Sequence, residues 1–163
     1  MKLYLIRHGI AAERADYAAD QDRPLTQTGR QKTQAVAERL YRCGVRFELI
    51  LSSPLVRAWQ TAVIFQTAGL CDHVDEFPAL APEGQLQDWL QWWSEQPNPD
   101  PIALVGHQPD LGYWTETLVW GAVQGSLVVK KAGVIGLNVP SQDPVGHSEL
   151  FLLTSPKWLL ELP

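Results

Sequence analysis

Cysteine is scarce in this chain. Cys43 and Cys71 are the only two and they form no CxxC pair, which excludes a disulfide-stapled scaffold and a CxxC redox motif. Free, buried thiols in a reducing compartment are expected rather than one disulfide. Long apolar runs are also missing. One lysine and "LYLI" precede Arg7, too little for the apolar region of a signal peptide. No stretch approaches the roughly 20 apolar residues of a membrane span. A cytoplasmic protein without a membrane partner is therefore expected. Positive charge is not in excess: 13 Lys and Arg face 18 Asp and Glu, for a net charge of −5. With no basic stripe, a nucleic-acid partner is not expected. No two of the four histidines have the close helical spacing of a zinc site, so neither a metal nor a cofactor is expected. G-x-S-x-G is absent, so Ser52-Ser53 is no serine-hydrolase elbow. Internal repeats and low-complexity segments are absent as well.

What is present describes an ordinary globular chain. Its 163 residues, 45% hydrophobic and 19% charged, suit a single compact domain spanning 1–163 with a sizeable core. "KLYLI" (2–6) is short and apolar and reads as a strand. Residues 10–27 read as a long polar loop, a kind of loop that is often functional. Thr28 and Gln31 fit a capping box, followed by Thr33, Val36, Ala37, Leu40 and Cys43 at helical spacing, with Gly44 as the helix end. "FELILSS" (47–53) is a second strand. Ser53 as N-cap and Pro54 in the first turn then open a helix bearing Leu55, Ala58, Trp59, Ala62 and Phe65. Residues 71–84 read as irregular, 85–95 as a helix, and "QPNPDP" (96–101) as a breaker. "IALVGH" (102–107) is a third strand, and a helix follows over 109–120. Residues 133–139 and 147–154 read as a hairpin-like pair of strands. The alternation predicts an α/β fold of three layers, α/β/α, around a mainly parallel sheet.

Three of these strands end in polar residues: Arg7-His8-Gly9, Ser52-Ser53-Pro54 with Arg57 one turn on, and Gly106-His107. Ligands in open α/β sheets sit beyond the carboxyl ends of the strands. If the three strands are neighbours, Arg7, His8, Arg57 and His107 converge on one pocket. Two guanidiniums and two imidazoles suit a small multivalent oxyanion, because arginine forks match phosphate oxygens. The helix opening near Pro54 would add backbone N–H groups. Neighbouring cations disfavour the imidazolium, leaving a neutral histidine able to attack phosphorus. Gly9 would let the backbone approach the ligand closely.

"LIRHG" resembles the signature of the histidine phosphatase superfamily, the phosphoglycerate-mutase-like proteins. "PLTQTGRQKTQAVAERL", "LSSPLVRAWQTA" and "ALVGHQPDLG" follow in the matching order. The short chain, "ALAPEGQ", "KKAGVIGL" and "LTSPKWL" are similar to the SixA-type phosphohistidine phosphatases within it. The resemblance covers nearly the whole chain. It implies a phosphoglycerate-mutase-like fold and a phosphatase working through a phosphohistidine intermediate. His8 would be the nucleophile, Arg7 and Arg57 would clamp the phosphoryl oxygens, and His107 would stabilise the transition state. Ser53 would contribute a hydroxyl or serve only as a cap. Arg23, in "DRPLT", resembles a basic residue of the family's loop that steers substrate. Larger relatives protonate the leaving group with a glutamate; here Glu83 is the nearest counterpart, either the proton donor or an exposed loop acid. A missing acid would favour N–P over O–P substrates.

Other residues have plainer readings. His73 and His147 lack such context and read as surface residues. Arg14, Arg30, Arg39, Arg42 and Arg46 read as solvated charges. Trp89, Trp92 and Trp93 recur at i, i+3 and i+4 and read as core, with a docking face for a protein substrate as the alternative. Three functions stay open: dephosphorylation of phosphohistidine on a phosphotransfer-type protein in signal transduction, hydrolysis of a small phosphorylated substrate, and phosphate or protein binding without turnover.

Overall fold

The strands are apolar on both sides, and that dictates what must cover them. Leu3 and Leu5 point to one face of the sheet and Tyr4 and Ile6 to the other, and all four are buried. A sheet apolar on both faces needs a helical layer on each. The computed structural model describes residues 1–96 and 99–161, and it has that arrangement. Six strands, β1 (Lys2–Arg7), β2 (Leu49–Ser52), β3 (Val74–Glu76), β4 (Ile102–Gly106), β5 (Val134–Asn138) and β6 (Glu149–Thr154), form one sheet in the order β3-β2-β4-β1-β5-β6. Five helices accompany them among the described residues: α1 (Gln27–Arg42), α2 (Val56–Thr67), α3 (Leu86–Glu95), α4 (Asp110–Trp120) and α5 (Pro156–Glu161).

Helices α1 and α2 cover one face. Val36, Ala37, Leu40, Ala58, Ala62 and Phe65 pack there with Tyr4, Ile6, Ile50 and Val105. Helices α3 and α4 cover the other, packing Trp89, Trp93, Leu111, Trp114 and Leu118 against Leu3, Leu5, Leu51 and Leu104. The fold is thus a single compact three-layer α/β domain. Strands β3, β2, β4 and β1 run parallel. The sheet is nonetheless mixed, because β5 lies antiparallel on β1 and β6 antiparallel on β5, with an irregularity between Gly136 and Leu137.

Several local expectations are corrected. Helix α1 begins two residues early: Thr26 is its N-cap, accepting from the Gly29 N–H at 2.9 Å, and Thr28 lies inside the first turn. Helix α2 begins at Val56 with Leu55 as N-cap, so Ser53 does not cap it. The supposedly irregular 71–84 contains the parallel edge strand β3 and a 3₁₀ turn over Pro78–Leu80. Its three residues are mostly exposed, and no apolar run announces them. Helix α5, six residues long and beginning at Pro156, carries too short a periodic signal to be read. Cys71 is buried as expected, but Cys43 is exposed at the end of α1; both are free. Of the breaker 96–101, Pro97 and Asn98 lie outside the described residues.

Trp89 and Trp93 of the tryptophan stripe are core, and Trp92 is half-buried against it. Trp89 is fully buried, and its ring stacks on Trp93 with centroids 5.7 Å apart and planes 3° apart. Trp92 meets Phe77 edge-on at 5.7 Å. Removing so large a buried side chain leaves a cavity that the layers cannot close. Trp89→Ala is expected to lower the unfolding free energy by about 3–5 kcal/mol, read from the urea midpoint at unchanged slope. A loss below about 1 kcal/mol would contradict the packing described.

Candidate active site

Register decides what meets at the carboxyl edge of the sheet. Arg7 pairs with Gly106 across β1 and β4, and Ser52 pairs with Val105 across β2 and β4. His8 and His107, the residues after β1 and β4, therefore leave the sheet at one level, and Ser53, after β2, leaves it one step before them. Backbone hydrogen bonds extend the ladder one step further, His8 N–H to the Gly106 carbonyl at 3.0 Å and Ser53 N–H to Val105 at 2.9 Å. The two imidazoles face each other with centroids 5.1 Å apart, and both are buried.

Each ring is oriented by one nitrogen. The Gly9 carbonyl can only accept, so the 2.7 Å contact with His8 Nδ1 fixes the proton there. Nε2 of His8 is left with its lone pair, towards which Arg57 Nε–H points at 3.3 Å. Nε2 of His107 is 2.8 Å from Ser53 Oγ, which also accepts weakly from the Leu55 N–H at 3.3 Å. Nδ1 of His107 and Nε of Arg7 are buried without a hydrogen-bond partner among the described residues. Unpaired buried polar atoms are costly, and Thr33 Oγ1, Trp89 Nε1 and Trp93 Nε1 are in the same position within the core. The other end of the Arg7 guanidinium donates to the Val129 carbonyl at 2.8 Å.

Helix α2 ties the loop after β1 to this cluster. Arg57 donates to the Asp20 carbonyl and carboxylate, both at 2.8 Å. Gln60 Oε1 accepts from Leu25 N–H at 2.8 Å, and Thr61 Oγ1 accepts from Gly9 N–H at 3.0 Å. The glycine at position 9 answers to packing: a Cβ there would overlap Thr33 Oγ1 on α1. The close approach it allows is thus to a helix, and its N–H is already engaged. Arg23 staples the same loop, donating to the Ala12 carbonyl at 2.8 Å and to Asp20 at 2.7 Å.

Four of the residues singled out by sequence, Arg7, His8, Arg57 and His107, thus stand together, with Ser53 against His107 and Arg23 linked to Arg57 through Asp20. Glu83 is exposed, with φ at 71°, and lines a cavity with Asp110 and Tyr113; none of its hydrogen bonds among the described residues reaches His8, Arg57 or His107. Among the described residues no group of three or more His, Cys, Asp or Glu is arranged to hold a metal ion, and no helix is long and apolar enough to cross a membrane.

A family model described as the histidine phosphatase superfamily, branch 1, matches residues 3–109. The chain belongs to that superfamily. Phosphohistidine phosphatase SixA of Escherichia coli K12 is 30% identical over 128 residues, 74% of this chain and 76% of that protein. An uncharacterised protein of Picosynechococcus sp. is 52% identical over 98% of this chain and 99% of its own. Among solved structures, the protein histidine phosphatase SixA complexed with tungstate superposes with a TM-score of 0.84 at 26% identity, covering 98% of this chain and 99% of that one. The α-ribazole phosphatase of Shigella flexneri shares the fold at 21% identity, with a TM-score of 0.70 over 96% and 97% of the two chains.

Sequence reasoning missed Asp20. In this histidine phosphatase its carboxylate bridges Arg23 and Arg57. The hydrogen bond from Arg23 and then that from Arg57 hold its pKa below the usual carboxylate value. An i,i+3 Asp–Arg pair in "DQDR" was a readable sign of the first contact; nothing local announced the second. Thr61, held by the Arg57 carbonyl at 2.8 Å, gave no sign at all.

Both imidazoles are held neutral. Burial, then the facing His107 and the two arginines, lower the His8 pKa to about 3, against a partial opposing effect of the Gly9 hydrogen bond. Burial and the Arg57 charge lower His107 to about 3 as well. A neutral imidazole with an unprotonated nitrogen is a nucleophile, whereas an imidazolium is not. Because the folded protein refuses protons that the unfolded chain accepts below the ordinary value of 6.5, these two groups cost stability as pH falls from there towards 3. The C2–H resonances of His8 and His107 are expected to show no titration between pH 8 and 5; a midpoint near 6.5 for either would contradict the burial described.

Proposed function

We propose that this phosphatase uses His8 as its nucleophile and acts on phosphohistidine carried by a protein, a signalling role in the cytoplasm. The observation that carries the proposal is the pair of buried, neutral imidazoles facing each other between two arginines, with the proton of His8 fixed on the far nitrogen. Nε2 of His8 attacks phosphorus, a new N–P bond forms, and the bond from phosphorus to the substrate imidazole breaks. Arg7 and Arg57 draw the charge of the phosphoryl oxygens. With the Ser53 hydroxyl donating to Nε2, Nδ1–H of His107 is the buried donor aimed at that charge. Water then attacks the phosphorus of phospho-His8, Nε2 leaves with its lone pair, and inorganic phosphate is released.

The SixA relatives, one named a phosphohistidine phosphatase and one a protein histidine phosphatase, support this substrate. The position of Glu83 supports it too. An alcohol leaves phosphorus poorly unless it is protonated, and Glu83 lines another cavity. A phosphorylated imidazole leaves readily once its own ring is protonated, so a site without a placed acid suits N–P better than O–P bonds. Two free cysteines fit a reducing compartment.

Turnover of a phosphohistidine peptide is expected to exceed that of phosphoserine and sugar phosphates by at least about 100-fold in kcat/KM, the scale of one acid catalyst. His8→Ala is expected to lose roughly a thousandfold or more, while Glu83→Gln stays near the wild-type rate. Clear preference for sugar phosphates, abolished by Glu83→Gln, would move the assignment to a small-molecule phosphatase such as those sharing the fold. An undiminished rate in His8→Ala would remove the nucleophile.

A further inference from the structure

The chain has five lysines, and four of them line one open cavity. Lys32, Lys130, Lys131 and Lys157 surround about 470 Å³ next to Arg7, with no aspartate or glutamate in the lining. Lys32 comes from α1, Lys130 and Lys131 from the turn before β5, and Lys157 from α5, so only tertiary structure brings them together. All four are exposed. Among the described residues none of them forms an ion pair. On a chain of net charge −5, five like charges gathered without counterions repel one another and attract an anion.

The cavity is fixed relative to the phosphoryl site. Ala132, held at φ 57°, donates its N–H to the Arg7 and His8 carbonyls, both at 3.1 Å. Gly133 N–H closes the turn on the Lys130 carbonyl at 2.7 Å. Arg7 reaches the same turn through the Val129 carbonyl. Lys130 and Lys131 therefore sit on a turn built on the backbone of Arg7-His8.

We propose that this cavity is a second anion subsite, taking aspartate and glutamate carboxylates of the segment that flanks the phosphorylated histidine of the protein substrate; it rests on the phosphohistidine reading above. The volume falls in the range of about 300–1,000 Å³ of ligand sites and exceeds what one oxyanion needs. Lysine ammonium groups are rotatable point charges without the fork of arginine, and so accept carboxylates in several orientations. The subsite explains how an acidic chain draws in an acidic partner: the local field is positive where substrate enters.

Two phosphohistidine peptides of equal length, one flanked by Asp and Glu and one by Gln and Ser, provide the test. Wild type is expected to favour the acidic peptide at least ~10-fold in kcat/KM at low salt, and the gap is expected to close at high salt. The combined variant Lys32→Gln, Lys130→Gln, Lys131→Gln, Lys157→Gln is expected to lose that preference and keep the wild-type rate on the neutral peptide. Equal turnover of both peptides by wild type, or a preference that survives in the variant, overturns the subsite. If neither peptide is turned over, the phosphohistidine reading has failed, and calorimetry with the unphosphorylated acidic peptide decides. Salt-sensitive binding by wild type alone upholds the subsite; absence of binding ends it. A lysine-dependent preference confined to small substrates with two phosphates overturns the protein partner.

Discussion

The parallel register of β1, β4 and β2 is the constraint on which the site depends. It sets His8 and His107 at one level beyond the sheet, with Ser53 one step before them. A slip of one residue in any of the three strands would turn its post-strand side chain to the opposite face. Slippage is opposed by burial on both faces, since Leu3, Leu5, Tyr4 and Ile6 would each have to change helical layer. The core thus positions the chemistry, although no core side chain belongs to it.

Electrostatics runs against hydration at this edge of the sheet. Two arginines and two histidines share a small volume, which is tolerable because the histidines are uncharged. Burial does most to keep them so, and the arginine charges add to it. The same features that make the site costly, Arg7 Nε and His107 Nδ1 buried without partners and a His8 Nε2 lone pair met by a long contact of 3.3 Å from Arg57, suit it to a phosphoryl group. Asp20 offsets part of the charge from a loop that α2 holds at three points.

Much of this was legible in the chain. Short apolar runs ending in Arg-His-Gly, Ser-Ser-Pro and Gly-His located three strand ends, and the pattern of strands and helices gave the layers. The tryptophan stripe announced its buried face. Boundaries were less legible. Thr26 rather than Thr28 caps α1, because the Gly29 N–H is the donor that needs satisfying. Ser53 resembles a cap by its neighbour Pro54, yet the ring nitrogen of His107 lies within its reach. Strand β3 has no apolar pattern, since an exposed edge strand has little to bury.

By itself the sequence determined which chemistry could occur: two imidazoles and two guanidiniums with no metal-ligand spacing, Arg7, His8 and His107 at the ends of apolar runs and Arg57 one helical turn beyond another. Such signals are local, acting within a turn of helix or a few strand residues. Tertiary structure decided who meets whom. Asp20 reaches Arg57 across 37 positions, the glycine of the signature proves to be needed by α1, and four lysines from three segments gather beside Arg7. Contacts of that kind depend on how elements pack and in what register, and no window of sequence contains both partners.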